Sequence, residues 1–494
     1  MSRLPNTDSA LQSVPSPGLR TAGTRAFDTL QLPPWMSLAL AAGAVLVGFA
    51  LSPNILGPAL AAVCLLWAAC RWPYIFVVLT MWTAVVPTIY AFQVGPFGFA
   101  PYVLFEAFAM VGLAFQLATG RVSIAAPPGF KWFIVHVLLT SASALLAADP
   151  VAAASMLVRL WLNWLMVFLV LAVTPDRRRL MNFVAALFLQ AFVVVGISVS
   201  SSLSNLDLPS FPSLLFLHFQ KNDYATYLSF AVALAVMAIA AKPSHIGGRI
   251  AGVALLMLVG VSWPLTYSRS GLLSLLGMLL TLVLLYRTRR LLAVLAVVVV
   301  VAGAAWMVLP PEVKAISVRA VQSVISPDKE RDSFDETYED RVMLNWAAVE
   351  SIARRPLLGV GLGEWVSESP LQIAIWDVKK QGVVNVGANI HNRYLLIAAE
   401  SGIAALAGYL GLLGVLLKSA MRLRRHADAW MRLLLSSLIA CTAGFLVSNL
   451  FIPGTLWEWN LLAVLATAVH IAMRENVNAP SVRLWRPRLV NGRG

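Results

Sequence analysis

The sequence predicts an all-α polytopic membrane protein with about 12–14 transmembrane helices and one large helical loop domain. Three observations support this prediction. Of the 494 residues, 59% are hydrophobic and only 12% are charged, which is about half the charged share of a soluble protein. The mean hydropathy is +0.78. The apolar residues also form unbroken runs of the roughly 20 residues that a helix needs to cross a bilayer.

Fourteen apolar runs define the predicted spans. The first run begins after a polar tail, and no small-residue cleavage site follows the run, so we expect a retained helix rather than a signal peptide. The predicted spans cover residues 35–52, 55–70, 74–92, 101–118, 130–148, 153–173, 180–200, 223–241, 249–266, 270–287, 290–309, 393–417, 430–452 and 455–473.

The basic residues predict the orientation of these spans. Lys and Arg concentrate in every second connection, whereas the short loops of the other parity hold only Lys221 and Arg269. Because basic loops stay in the cytoplasm, both termini are expected there. The net charge of +14 is therefore interpreted first as an indication of membrane topology, and only second as an indication of nucleic-acid binding. The predicted parts are a cytoplasmic tail (1–34), helices 1–11 (35–309), a periplasmic loop domain (310–392), helices 12–14 (393–473) and a cytoplasmic tail (474–494).

The segment 310–392 is the one long connection. It is net acidic, with nine Lys and Arg against twelve Asp and Glu, and it is too long to obey the charge rule. Within it, residues 338–353 carry apolar side chains at helical spacing opposite a polar face. This pattern predicts an amphipathic helix that lies on the helix bundle or on the membrane surface.

Ionisable side chains inside spans are functional candidates, because charges are costly in hydrocarbon. By the predicted topology they lie in the outer half of the membrane or at outer helix ends, which indicates a polar cavity open to the outer leaflet. For Glu106 and Glu458, a snorkelling or structural ion-pair role is the favoured interpretation. The residues concerned are Glu106, Arg159 and Glu400 within spans, and Lys221, Asp223, Arg269, His391, Arg393 and Glu458 at outer ends.

Two local patterns indicate chemistry. In the stretch Thr266-Tyr-Ser-Arg269-Ser-Gly271, an arginine flanked by hydroxyls precedes a helix start, which suits a phosphate or diphosphate. His391 lies where the long loop re-enters the membrane, and with arginines nearby it is a candidate general base. The glycine run 359–363 lacks the Lys-Ser/Thr ending of a nucleotide loop, so close backbone packing is its expected use. The three cysteines show no metal-ligand spacing.

Taken in order, these pieces resemble the O-antigen ligase superfamily. This superfamily also contains O-antigen and exopolysaccharide polymerases and protein O-oligosaccharyltransferases. The similarity covers about residues 215–415. The matching pieces are Ser268-Arg269-Ser270-Gly271, Arg341 with Trp346, Pro356-Leu-Leu-Gly-Val-Gly-Leu-Gly363, His391-Asn392-Arg393-Tyr394-Leu395 and Glu400-Ser-Gly402.

The resemblance implies a metal-independent glycosyltransferase without a cofactor, in the bacterial inner membrane and with its site facing the periplasm. Its donor would be a glycan on undecaprenyl diphosphate, and its acceptor a glycan or lipid A–core hydroxyl. Membrane lipids are the further partners, and no nucleic acid is expected. Arg269 and Arg341 would hold the diphosphate, and His391 would activate the acceptor hydroxyl. Charge and topology add Lys221 and Arg159 as diphosphate contacts. The supporting residues are Asn392, Glu400 and Asp223, of which Asp223 and Glu400 are expected to orient the cations.

Four classes of function remain open at this point. A ligase passes a preassembled polysaccharide to lipid A–core, whereas a polymerase of the same superfamily extends another lipid-linked repeat unit. Both need the same donor and the same base. A transporter or flippase would carry out no covalent chemistry, and the sequence lacks the Pro/Gly-broken helix pairs at matching positions in two halves that many transporters have. A receptor or scaffold would leave the outer-end cations without a role. The sequence favours the glycosyltransferase and, within it, the ligase.

Overall fold

The computed structural model describes a helical protein with two short β-hairpins. Contacts divide the chain into two compact units, residues 1–67 and 68–494, and the candidate site lies wholly in the second. The described residues are 56–84, 92–94, 97–99, 101–122, 126–204, 221–240, 246–263, 266, 268–286, 336–377, 382–454 and 457–477, with isolated positions between 296 and 318.

The elements follow one another in two groups on either side of the connection that begins after residue 286. The first group is α1 (Leu56–Arg71), α2 (Pro73–Thr83), β1 (Phe92–Val94), β2 (Phe97–Phe99), α3 (Pro101–Ala118), α4 (Phe130–Ala144), α5 (Pro150–Val173), α6 (Arg177–Ser204), α7 (Lys221–Ala240), α8 (Ile246–Ser262) and α9 (Arg269–Tyr286). The second group is α10 (Glu336–Arg354), α11 (Trp365–Glu368), β3 (Gln372–Asp377), β4 (Gly382–Gly387), α12 (Arg393–Leu423), α13 (Ala429–Ser448) and α14 (Trp457–Val477).

The predicted polytopic helical class is confirmed. Each predicted run that falls on described residues forms a helix, although several helices end early. The run at 74–92 ends at Thr83, and the runs at 130–148, 249–266 and 430–452 end at Ala144, Ser262 and Ser448. The runs 35–52 and 290–309 lie outside the described residues. Five described helices are long and apolar enough to cross a membrane, or six if the bent pair Ala59–Arg71 and Pro73–Thr83 counts as one span. The five are Pro150–Val173, Arg177–Ser200, Asn222–Ala240, Arg393–Leu423 and Ala429–Ser448.

The two hairpins were not predicted. β1 pairs antiparallel with β2, and β3 pairs with β4 from Gln372 opposite Gly387 to Asp377 opposite Gly382. Their strands are only three to six residues long. Alternation over so few residues is hard to separate from the apolar background of this chain. The second hairpin makes the loop domain mixed rather than purely helical.

Two breaks interrupt the helices at different kinds of position. Pro73 opens α2 one residue after α1 ends, and proline cannot continue a helix without losing a backbone hydrogen bond. Inside α12, Gly402 has non-helical angles (φ 85°, ψ 164°), so the helix is kinked there. The first break separates two helices and the second lies within one, so the described residues show no matched pair of the transporter kind.

The loop domain packs on the start of α12. The predicted amphipathic segment forms α10, whose Leu344 and Ala348 lie one helical turn apart on the same face. These two side chains join Trp365, Ile390 and Leu396 in a small apolar core of their own. Of the two predicted locations for this helix, the structure therefore shows packing on the bundle. This contact is what brings the loop domain to the candidate site.

Candidate functional site

His391 lies directly before the N-cap of α12. The cap is Asn392, whose side-chain Oδ1 accepts hydrogen bonds from the backbone amides of Tyr394 (3.1 Å) and Leu395 (3.2 Å). An asparagine at this position satisfies amides that the helix itself leaves unpaired. The cap fixes where the helix begins, and it thereby orients the backbone that carries His391.

The surroundings of His391 favour the neutral form of its imidazole. Its Nδ1 is buried and has no hydrogen-bond partner among the described residues. Burial lowers the pKa of His391 below its usual value of 6.5, and the nearby Arg341 guanidinium lowers it further. Both effects disfavour the imidazolium ion. The side chain is therefore neutral at neutral pH, which is the state that a general base requires.

Arg341 reaches this position because α10 packs on α12. It precedes Leu344 by three residues and so shares the face of α10 that contacts the start of α12. The side chain is half-buried and close enough to act electrostatically on His391. The predicted base and one predicted diphosphate-binding arginine are thus brought together, although 49 residues separate them in the chain.

Helix starts converge around the N-terminus of α12. Thr226 Oγ1 of α7 lies 2.6 Å from Ser448 Oγ at the end of α13. The amide of Arg393 donates to the Asn449 carbonyl at 2.8 Å. Ser268, just before α9, donates to Asn222 Oδ1 at 2.7 Å. The starts of α7, α9 and α12 therefore lie at one end of the bundle, which we call the site end. Helix N-termini favour anions there.

The hydroxyls around Arg269 are engaged within their own turn. Ser268 Oγ accepts from the amide of Gly271 at 3.0 Å and lies 3.0 Å from Ser270 Oγ. Both serines are buried. Ser268 therefore caps α9 and ties it to α7, and Ser270 bonds to Ser268, whereas both hydroxyls were predicted to accompany a phosphate ligand. Arg269 begins α9, and Lys221 begins α7; the side chains of both lie outside the described residues.

The other predicted site residues occupy separate positions. Asp223 lies in the first turn of α7, and its buried Oδ1 has no hydrogen-bond partner among the described residues. Arg159 is exposed on α5 and acts electrostatically on Tyr102 of α3. Asp223 is thus near the site end, whereas no described contact connects Arg159 with His391.

Glu400 connects the glycine run with α12. Its buried carboxylate accepts hydrogen bonds from the backbone amides of Gly363 and Trp365, and the charge of Arg393 acts on it as well. Its backbone carbonyl accepts from the amide of Gly361 at 3.2 Å. These hydrogen bonds fix the loop that leads from α10 towards the site, and the predicted role of Glu400 in orienting the cations stays a prediction.

The glycine run lets the loop backbone pack closely against α12, as predicted from its sequence. Gly359 has φ 70° and Gly402 has φ 85°, a region that side-chain-bearing residues rarely adopt. A Cβ at Gly402 would overlap the Leu357 carbonyl, and one at Gly359 would overlap the Ala399 and Glu400 backbone. The loop therefore lies directly against the kink of α12 and makes the hydrogen bond from Val360 N to Ala399 O at 2.8 Å.

A protein-family model described as O-Antigen ligase matches residues 252–410. The predicted resemblance to the O-antigen ligase superfamily is confirmed over this part of the chain. A search of curated proteins found no match. The match supports a membrane enzyme of glycan transfer.

The O-antigen ligase match contains most of the site. It runs from α8 through the kink of α12, so it includes Arg269, Arg341, the glycine run and His391. The predicted residues outside it are Arg159, Lys221 and Asp223.

The kink of α12, within the matched segment, gives a testable expectation. The substitution Gly402→Ala should lower the free energy of unfolding by about 1–3 kcal/mol from backbone strain alone, with the overlap adding to this. The matched control is Gly414→Ala in the same helix, where a Cβ meets nothing within 4 Å and alanine should stabilise by up to roughly 1 kcal/mol. Thermal unfolding of the purified proteins in detergent measures both. Equal stability of the two variants would contradict the packing role.

A buried polar cluster beneath the start of α12 was only partly predicted from the sequence. Arg393 and Glu458 were candidates there, whereas Tyr409 and Asn449, which complete the cluster, were not. Tyr409 is one aromatic residue in an otherwise apolar run. No local pattern in the sequence distinguishes it, because its partners come from two other helices.

Proposed function

We propose that the protein is a glycosyltransferase of the bacterial inner membrane. It would move a glycan from undecaprenyl diphosphate to an acceptor hydroxyl at the periplasmic face, and the favoured type is O-antigen ligase. The observation that carries the proposal is the position of His391 near Arg341, with a buried Nδ1 that has no hydrogen-bond partner among the described residues. His391 lies among converging helix N-termini and within the segment that matches the family.

The proposed reaction is a single displacement. The acceptor oxygen forms a bond to the anomeric carbon of the donor while the bond from that carbon to the diphosphate oxygen breaks. Undecaprenyl diphosphate leaves with the electron pair, and His391 takes the proton of the hydroxyl. Negative charge grows on the diphosphate in the transition state, so fixed cations and helix N-termini stabilise it.

Arg341 and Arg269 are the proposed diphosphate ligands. Arg341 stands beside the base, and Arg269 begins a helix at the site end. Lys221 begins the neighbouring helix α7 and is a further proposed contact. Arg159 has the weakest support, since its described neighbour is Tyr102. A guanidinium suits a diphosphate because its planar fork donates two parallel hydrogen bonds.

The test is complementation of a strain that lacks the gene. Cells carrying the wild-type gene should place glycan on the surface, whereas cells carrying the triple variant Arg269→Ala, Arg341→Ala and His391→Ala should accumulate glycan on undecaprenyl diphosphate. Membrane fractions establish that the variant is inserted in equal amount. Long accumulated chains indicate a ligase, and single repeat units indicate a polymerase. Wild-type surface glycan in the triple variant would overturn the proposal.

A transporter predicts a different outcome in the same cells. Loss of a flippase would leave the lipid-linked glycan on the cytoplasmic leaflet, where a glycosidase added to spheroplasts cannot reach it. Loss of a transferase leaves the donor on the periplasmic leaflet, where the glycosidase degrades it. Purified protein in vesicles should also transfer labelled glycan to the acceptor when a metal chelator is present.

A further inference from the structure

A buried polar cluster lies beneath the start of α12. Tyr409 donates its hydroxyl proton to Glu458 Oε1, and Asn449 Nδ2 lies 3.2 Å from the same hydroxyl. Glu458 Oε2 lies 3.9 Å from Arg393 Nε, and the Arg393 amide donates to the Asn449 carbonyl at 2.8 Å. These four residues, the Arg393 cluster, form a closed ring that joins α12, α14 and the end of α13.

The Arg393 side chain is held against the connection between α13 and α14. Its Nη1 donates to the Pro453 carbonyl at 3.1 Å. A Cβ on Gly454 would lie 2.9 Å from its Cδ and Nε, so the backbone there packs directly against the side chain. Glu458 is fully buried and is the only ion-pair partner of Arg393 among the described residues. One amino group of this guanidinium is thus engaged with the connection between α13 and α14, and its Nε faces the Glu458 carboxylate.

The cluster fixes the backbone two residues from the proposed base. Arg393 is anchored by its amide and by its guanidinium, and Asn392 caps the helix immediately before it. His391 Nδ1 makes no hydrogen bond within the described residues that would orient the imidazole. The backbone anchor at Arg393 therefore acts together with the Asn392 cap to fix the backbone that carries the imidazole.

We propose that Glu458 is a positioning residue that acts through Arg393 to place His391 for proton transfer; this inference rests on the proposed function. A buried arginine that loses its counter-charge becomes costly and shifts to find another partner. Such a shift at Arg393 moves the start of α12. A small misplacement of a catalytic group costs rate more than substrate affinity.

The test variant is Glu458→Gln, which keeps the shape and removes the charge. We expect kcat for transfer to fall about 10- to 100-fold, and KM for the lipid-linked donor to change less than about 3-fold. The matched control is Asp428→Asn. It removes the carboxylate that pairs with Arg177 at the opposite end of α13, while asparagine still caps that helix. Its kcat should stay within about 2-fold of the wild type, because exposed ion pairs contribute little.

A double-mutant cycle separates positioning from a general structural role. If Glu458 acts through His391, then Glu458→Gln in the His391→Ala background should change the residual rate by less than about 2-fold. An equal loss in both backgrounds overturns the inference, as does a normal kcat in the single variant. If Glu458→Gln fails to insert, Tyr409→Phe tests the same cluster, since it removes the hydrogen bond to Glu458 and keeps the ring. A His391→Ala variant with wild-type activity would instead refute the proposed function.

Discussion

The variant His391→Ala should lose roughly 10²–10⁴-fold in kcat, the range that a general base contributes. Donor binding should persist, because the proposed diphosphate ligands are other residues. The wild-type rate should also fall as the pH drops through the pKa of His391, since the imidazolium ion cannot accept a proton. Burial and Arg341 lower that pKa below 6.5, so activity should be retained into mildly acidic solution. Transfer of labelled glycan by the protein in vesicles measures both effects.

The control for this variant is His426→Ala. His426 is exposed in the connection between α12 and α13, next to the helix start that is capped by Asp428. The start of α13 lies at the end of this helix opposite to the site end. Loss of the His426 imidazole should therefore leave the transfer rate and its pH profile unchanged. A His391→Ala enzyme within a few-fold of the wild type, or one whose acidic limb persists, would contradict the role of His391 as base.

The helices were predictable because hydrocarbon selects for long apolar runs, a signal carried by composition alone. The start of α12 was predicted at residue 393, where Asn392 caps the observed helix. The amphipathic pattern of residues 338–353 likewise predicted α10, and its packing face then explains why Arg341 lies near His391. The proximity of the proposed base to one proposed diphosphate ligand therefore follows from a pattern that the sequence shows.

The remaining features depend on contacts between distant segments, which a single sequence does not report. The Ser268 and Ser270 hydroxyls suit a phosphate by type, yet they bond to Asn222, Gly271 and each other. Glu458 was expected to be structural, and its ion pair with Arg393 at the start of α12 is the contact through which we propose an effect on the base. Partner choice of this kind is decided by tertiary packing.

Arg341→Gln should have two effects, both of which follow from the loss of the positive charge of the guanidinium. The first is a loss of about 10²–10³-fold in kcat, because one fixed positive charge facing the developing diphosphate charge is removed. The second is a shift of the acidic limb of the pH–rate profile to higher pH. The guanidinium lowers the pKa of His391 by disfavouring a second positive charge. Without the guanidinium the pKa of His391 rises, so a larger fraction of the enzyme is protonated and inactive at acidic pH. The shift is partial, because burial continues to lower the pKa.

Charge and geometry can be separated with Arg341→Lys. Lysine keeps the positive charge, so the acidic limb should stay near its wild-type position, while the loss of the two-pronged guanidinium should still reduce the rate. Arg354→Gln is the matched control, since this arginine is exposed on the same helix and pairs with Glu350. Arg354→Gln should change neither kcat nor the position of the acidic limb of the pH–rate profile. A limb that stays in place in Arg341→Gln, with the rate reduced, would mean that Arg341 serves the donor without tuning the base. A limb that moves to lower pH would contradict His391 as the titrating group.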